Sequence, residues 1–388
     1  MTRIAKRMEG IEPFHVMELM ARANALEAQG RDIVHMEVGE PDFPTPQPVI
    51  EAAQRFIATG QVHYTHALGL PQLREAIASF YKDRYRVSVP PERIVVTAGA
   101  SGALLLALGV LIDPGDEVLL ADPGYPCNRH FVRTFEGRAK AIPVDASTAY
   151  QPTAEQVAAH WSPRTRALLV ATPANPTGTL LNLSQLAALR QVVHERDGSL
   201  LVDEIYHGLT YGFDAETALA LGDDIFVINS FSKYFGMTGW RLGWLVAPQR
   251  CVRDIEKLAQ NLFISPSAPA QHAALAAFKP NTLEILEARR VKFQRRRDTL
   301  LPGLQALGFE IKTEPQGAFY VYADSSRLAP DSFTLAEQLV SNAGVAATPG
   351  LDFGSFRPEG HMRFAYTVAR ERIEEGLVRM ERYFRAAK

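Results

Sequence analysis

Lys233 stands in Asn229-Ser230-Phe231-Ser232-Lys233-Tyr234-Phe235, directly after the apolar run Ile225-Phe226-Val227-Ile228 and between serines and aromatics. The 41 basic residues comprise 9 lysines and 32 arginines, so each lysine invites inspection. Arginine stays protonated, whereas an amine in an apolar setting sheds its proton more readily and becomes a nucleophile toward a carbonyl. Arg241 follows amid Gly236, Gly239 and Gly243, and a guanidinium with hydroxyls nearby suits a phosphate dianion. Upstream, Ile94-Val95-Val96-Thr97 leads into Ala98-Gly99-Ala100-Ser101-Gly102 and then an apolar helical pattern from Ala103 to Ile112. Small residues opening a helix leave backbone N–H groups converging on one point, as a phosphate requires, although a plain tight turn has the same composition. Asp203 is the first polar residue after Leu200-Leu201-Val202. A carboxylate at the mouth of a buried strand wants a cation or a donor, or else caps a helix.

These groups meet one set of needs: a carbonyl-bearing, phosphorylated aromatic cofactor whose ring nitrogen takes an acid partner. Pyridoxal 5'-phosphate has that chemistry. The elements that must position the groups are short apolar strands alternating with helical patterns from residue 47 to about 250, with further strands at Glu117-Val118-Leu119-Leu120 and Ala167-Leu168-Leu169-Val170. That rhythm predicts an α/β fold with a mostly parallel, helix-covered sheet and its site at the carboxyl ends of the strands. Before it lie an amphipathic helix (Val16, Leu19, Met20, Ala23, Leu26), a strand over Ile33–Val38 and a proline-rich turn. After it come an Arg-rich helix from about Leu283 to Leu301 and a strand over Gly317–Val321. The expected division is a large cofactor-binding domain, 46–280, and a smaller α+β domain formed by 281–388 together with 1–45 as an N-terminal arm.

At Asn175, Asp203, Tyr206, Ser232-Lys233 and Arg241 the chain resembles the fold-type I pyridoxal-phosphate enzymes, specifically the class I/II aminotransferases of the aspartate aminotransferase kind. The resemblance extends over essentially the whole chain. It implies that Lys233 forms the internal aldimine and moves the proton of the substrate α-carbon, and that Asp203 holds the pyridinium nitrogen protonated. It further implies that Tyr206 and Asn175 bond the phenolic oxygen and that Tyr125 stacks on the ring. The phosphate would lie among Ala100, Ser101, Ser230, Ser232 and Arg241, joined by Tyr64 from a neighbouring subunit in a homodimer with shared active sites. Arg363, in His361-Met362-Arg363-Phe364, would clamp the α-carboxylate with help from the Gly39 backbone and Asn175. The implied reaction is ping-pong transfer of the amino group of an L-amino acid to a 2-oxo acid.

Ser101 stands where bacterial aspartate-using members often carry a lysine, so a neutral or hydrophobic amino donor is as well accommodated as a dicarboxylic one. Phe14, Val16 and Cys127 are candidate pocket-lining residues. Acidic residues number 43 and the net charge is −2, which leaves no overall field for nucleic acid or an anionic membrane. Two cysteines, Cys127 and Cys251, without metal-ligand spacing fit a reducing, cytoplasmic setting and no metal centre. The longest apolar run, Ala100 to Ile112, is too short to span a bilayer, and the first ten residues show no apolar signal region. Two other outcomes fit parts of the pattern. One is β-elimination by a carbon-sulfur lyase using the same cofactor; the other is a cofactor-binding regulator without catalysis.

Overall fold

The apolar runs of the central region become buried strands, and their polar boundaries become the site. The computed structural model describes residues 2–386. Its strands are β1 (Val34–His35), β2 (Ile94–Thr97), β3 (Glu117–Asp122), β4 (Arg138–Pro143), β5 (Thr165–Ala171), β6 (Ser199–Asp203), β7 (Phe226–Ser230), β8 (Gly243–Val246), β9 (Tyr320–Asp324), β10 (Val345–Ala346), β11 (Thr348–Pro349) and β12 (His361–Ala365). Seven of them form one sheet in the order β2-β8-β7-β6-β5-β3-β4. The pairings from β7 across to β4 are parallel, and β8 runs antiparallel to both β2 and β7. The sheet is therefore mostly parallel, as the continuous apolar runs require of strands covered on both faces. β4 carries no such signal, and the short apolar run of β8 is not among the strands expected above. β4 is an edge strand with exposed Arg138, Ala139, Ala141 and Pro143, and β8 begins inside the glycine-rich segment after Lys233.

A second, three-stranded sheet has the order β11-β12-β9 and is antiparallel throughout. The N-terminal segment joins the C-terminal part of the chain, because β1 pairs in parallel with β10. Only two residues of the expected strand Ile33–Val38 form a ladder there. Met36 then turns between two neighbours, donating to Ala346 O at 2.9 Å and accepting from Ala365 N at 2.7 Å, and this delivers Glu37 to Gly39 to the site. The strand expected over Gly317–Val321 lies three residues later, because Gly317 N and Ala318 N bond instead to Gly178 O and Leu209 O of the large-sheet region, each at 2.9 Å. The Arg-rich helix is longer than expected, Pro280–Ala306. Among the described residues no helix is long and apolar enough to cross a membrane.

The His15–Glu27 helix has Phe14 at its N-cap position, which offers no side-chain acceptor. Its first amides are satisfied from far along the chain: Asp352 Oδ1 accepts from His15 N at 2.8 Å and Oδ2 from Val16 N at 2.9 Å. A carboxylate at a helix start satisfies orphan donors and complements the dipole. Asp352→Ala should therefore release this end by about 1–2 kcal/mol and speed amide exchange over residues 15–20 by about tenfold in hydrogen-exchange mass spectrometry. Unchanged exchange would show that the helix is held by packing alone.

Candidate active site

The carboxyl ends of β5, β6 and β7 and the start of the Gly99–Leu111 helix face a cavity of about 410 Å³. Asp203 is the last residue of β6 and Ser230 the last of β7, so strand order alone sets them side by side at the mouth. The helix begins at Gly99, earlier than the expected Ala103, which puts Ala100 and Ser101 in its first turn, where amides have no carbonyl one turn back. The approach is close because two side chains are missing. A Cβ on Gly243 would stand 2.8 Å from Gly99 C and 2.9 Å from Ala100 N, and one on Gly99 would meet Arg241 Nη2 at 2.9 Å. Arg241 adopts a left-handed backbone (φ 51°) and rests its Nη1 on Thr238 O at 3.1 Å. Ser230 Oγ bonds Ser232 Oγ at 2.9 Å and takes Ser232 N at 3.0 Å. Amides, two hydroxyls and a guanidinium thus surround one end of the cavity, a donor set suited to a phosphate.

Lys233 Nζ donates to Gly39 O at 2.7 Å and lies 5.9 Å from the Tyr206 ring and 5.6 Å from the Phe319 ring. Burial, helped by the charges of Arg363 and Arg241, pulls its pKa down to about 8 against the opposing pull of Glu40 and Asp203. Burial pushes Asp203 up to about 7, opposed by the Ile205 N–H it accepts at 3.0 Å and by Lys233. Both groups are thereby drawn toward neutrality until a charged ligand group faces them. Tyr206 Oη and Tyr320 Oη are 2.9 Å apart, and burial holds both phenols above their ordinary pKa. Tyr125 lines the wall opposite, its hydroxyl accepting from Cys127 Sγ at 3.2 Å.

Arg363 is buried and shared. Its Nη1 donates to Asn175 Oδ1 at 3.0 Å, and its Nη2 to Glu37 O and to Thr348 Oγ1, the latter at 3.2 Å. Its guanidinium carbon lies 4.4 Å from the Tyr320 ring centroid and 4.8 Å from that of Phe353, and its Nε has no partner among the described residues. Asn175 Oδ1 is thus committed to Arg363, which leaves Nδ2 as the free donor. Gly39 is obligatory, since a Cβ there would overlap the Tyr320 hydroxyl.

The residues expected from sequence to meet at one site, Gly39, Ala100, Ser101, Tyr125, Asn175, Asp203, Tyr206, Ser230, Ser232, Lys233, Arg241 and Arg363, all line this cavity. Tyr64 does not: it is 80% exposed, in a surface hollow with His63, Phe56 and His272. Of the pocket candidates, Phe14 and Val16 line the cavity, whereas Cys127 stands outside it. Sequence reasoning missed Tyr320, Phe353, Met17, Met20 and Glu37, which lie in the small-domain strands, turns and N-terminal helix rather than at the ends of the large sheet's apolar runs.

A profile described as aminotransferase class I and II matches residues 31–380. The chain is 38% identical to a valine–pyruvate aminotransferase of Mycobacterium tuberculosis over 380 residues, 97% of each chain. It is 36% identical to an aspartate/prephenate aminotransferase of Thermus thermophilus, covering 98% of this chain and 99% of the relative. The solved structure of an aminotransferase from Mycobacterium tuberculosis superposes with a TM-score of 0.96 at 37% identity over 100% of both chains. That of Thermus thermophilus aspartate aminotransferase with maleate does so with 0.93 at 36% identity, over 98% of this chain and 100% of the other. These relatives are transaminases, so the β-elimination alternative is not favoured. The chain belongs to the pyridoxal-phosphate-dependent aminotransferases of class I and II, enzymes of amino-group transfer.

Proposed function

We propose that this aminotransferase takes an apolar L-amino acid as donor and a 2-oxo acid as acceptor. The observation that carries the reading is the cavity wall. Phe14, Val16, Met17, Met20, Leu104 and Phe131 are among its apolar residues, and among the described residues the cations that line it are Lys233, Arg241 and Arg363. Each of these three has a task, so a second substrate carboxylate would be buried facing Glu37, Glu40 and Asp352 without a counter-ion. The name of the 38% identical relative, a valine–pyruvate aminotransferase, supports the same choice.

The residues present fit pyridoxal phosphate: the cradle left open by Gly99 and Gly243, the serine pair and Arg241 would hold its phosphate, and Asp203 its ring nitrogen. Tyr206 and Asn175 Nδ2 would bond its phenolic oxygen, and Tyr125 would stack on its ring. When bound, that group supplies a carbonyl for the amine and an electron sink for the bond at the substrate α-carbon. Lys233 Nζ would hold the cofactor, and the same amine would take the proton of the substrate α-carbon and give it back. A buried amine suits both tasks, because at neutral pH it exchanges a proton at small cost. Arg363 and Asn175, with the Gly39 backbone, orient the α-carboxylate, and the apolar wall excludes water.

Residues 46–280 would form the large domain, and 1–45 with 281–388 the small one; the separate sheets and the β1–β10 pairing support this division. A homodimer would bring the partner subunit's Tyr64 to the phosphate. Exposed Ile57 and Val62 near Tyr64, and Leu262 and Ile264 just before the helix that bonds Thr65 through Gln271, support a buried face there. Cys127 and Cys251 are free thiols, in keeping with a cytoplasmic setting.

Donor profiling with pyruvate and 2-oxoglutarate as acceptors should give valine or leucine a kcat/KM at least about 100-fold above aspartate. Equal use of aspartate would remove the substrate reading while leaving transamination intact. Lys233→Ala should bind the cofactor only non-covalently and lose more than about 1000-fold in turnover; normal turnover would refute the role of Lys233. In cofactor-free protein, Lys233 should react with an amine reagent along a curve that rises with pH through about 8, below the usual lysine value of 10.5. Mass-spectrometric labelling checks this, and a midpoint near that of surface lysines would contradict the burial argument.

A further inference from the structure

Tyr320 has no part in the assignments above, yet it touches three of their members. It is fully buried on β9 and lines the cavity. The register of the small sheet pairs Tyr322 with Arg363 and Tyr320 with Ala365, so Tyr320 lies diagonally beside Arg363 on the same face. Its ring stands 4.4 Å beneath the Arg363 guanidinium, its hydroxyl is 2.9 Å from Tyr206 Oη, and that hydroxyl occupies the space a Cβ would need at Gly39. Neither phenol hydroxyl has another hydrogen-bond partner among the described residues.

A phenol has one proton to donate. If Tyr206 spends its own on the cofactor's phenolic oxygen, the bond between the two tyrosines must run from Tyr320 to Tyr206. Hydrogen bonds in a chain polarise one another, so a donor behind Tyr206 strengthens the bond that Tyr206 makes ahead. We propose that Tyr320 is a positioning residue for the transamination: its hydroxyl donates to Tyr206 Oη and orients that phenol toward the cofactor oxygen, while its ring supports the guanidinium of Arg363 that takes the substrate carboxylate. The inference rests on the site assignment proposed above for Tyr206 and Arg363.

Two variants separate the functions of hydroxyl and ring. Tyr320→Phe keeps the ring and removes the donor; Tyr320→Leu removes both. The holoenzyme without substrate is titrated by the visible absorbance of its cofactor, and the melting temperature of each cofactor-free variant reports folding. In Tyr320→Phe the titration midpoint should rise by about 0.3–0.5, because a less well-bonded phenolic oxygen holds its shared proton longer. KM for the amino donor should stay within about twofold of wild type in Tyr320→Phe and rise about fivefold in Tyr320→Leu, which alone loses the cation–π contact. In a Tyr206→Phe background, Tyr320→Phe should leave the midpoint where Tyr206→Phe put it. A midpoint unchanged in the single Phe variant, a further shift in the double variant, or an equal KM in Phe and Leu would overturn the proposal. Failure of the wild type to gain any absorbance band with pyridoxal phosphate would overturn the site assignment as well, and so is distinguishable from failure of this inference alone.

Discussion

A guanidinium cannot shed its charge, so a chain that buries one must surround it with acceptors, and the arrangement of this molecule depends on how Arg363 is surrounded. Asn175 reaches it from the loop after β5, Glu37 O from the segment after β1, and Thr348 from β11, while Tyr320 and Phe353 close on it from the sides. Three distant stretches of chain are thereby held to one point. Moving any of them leaves part of a buried cation without its acceptor, at a cost of about 1.5–3 kcal/mol. The Nε of Arg363 and the second N–H of its Nη1 remain without an acceptor among the described residues.

The same seam places the segment that faces Lys233. Met36 bonds both β10 and β12, Glu37 offers its carbonyl to Arg363, and Gly39 offers its own to Lys233 Nζ two residues later. Beyond it, Asp42 makes a two-point pair with Arg296 at 2.8 and 2.7 Å, tying the proline-rich turn to the long Pro280–Ala306 helix. The position of the lysine's acceptor thus depends on contacts with strands and a helix from the other end of the chain. Burial then sets the electrostatics, lowering the amine of Lys233 and raising the carboxyl of Asp203. Opposed shifts of an acid and a base in one cavity are a hallmark of a site prepared for charged ligands.

Much of this centre could be read along the chain because its groups are local to strand ends. Asp203 and Ser230 close β6 and β7, Ser232 and Lys233 follow at once, and Ala100 and Ser101 open the helix after β2. In a parallel sheet all such ends point the same way, so polar residues that terminate apolar runs converge without further information. Arg363 and Asn175 became legible through likeness to a family. Tyr320, Phe353 and Asp352 did not, for each sits in an ordinary strand or turn and gains its role only from contacts with other elements brought beside it by the fold.

What the order of residues carried was the alternation of buried strands with helices, the identity of the groups at the strand ends, and the small residues that open the helix after β2. Folding in three dimensions settled the rest: β8 inserted antiparallel between β2 and β7, β1 drawn across to β10, Tyr320 aligned under Arg363 by the register of β9 against β12, and Tyr64 left on the surface. The physical reason is range. Burial period and turn chemistry act over a few residues and leave a trace in sequence, whereas register and the pairing of a buried charge depend on which distant surfaces fit together.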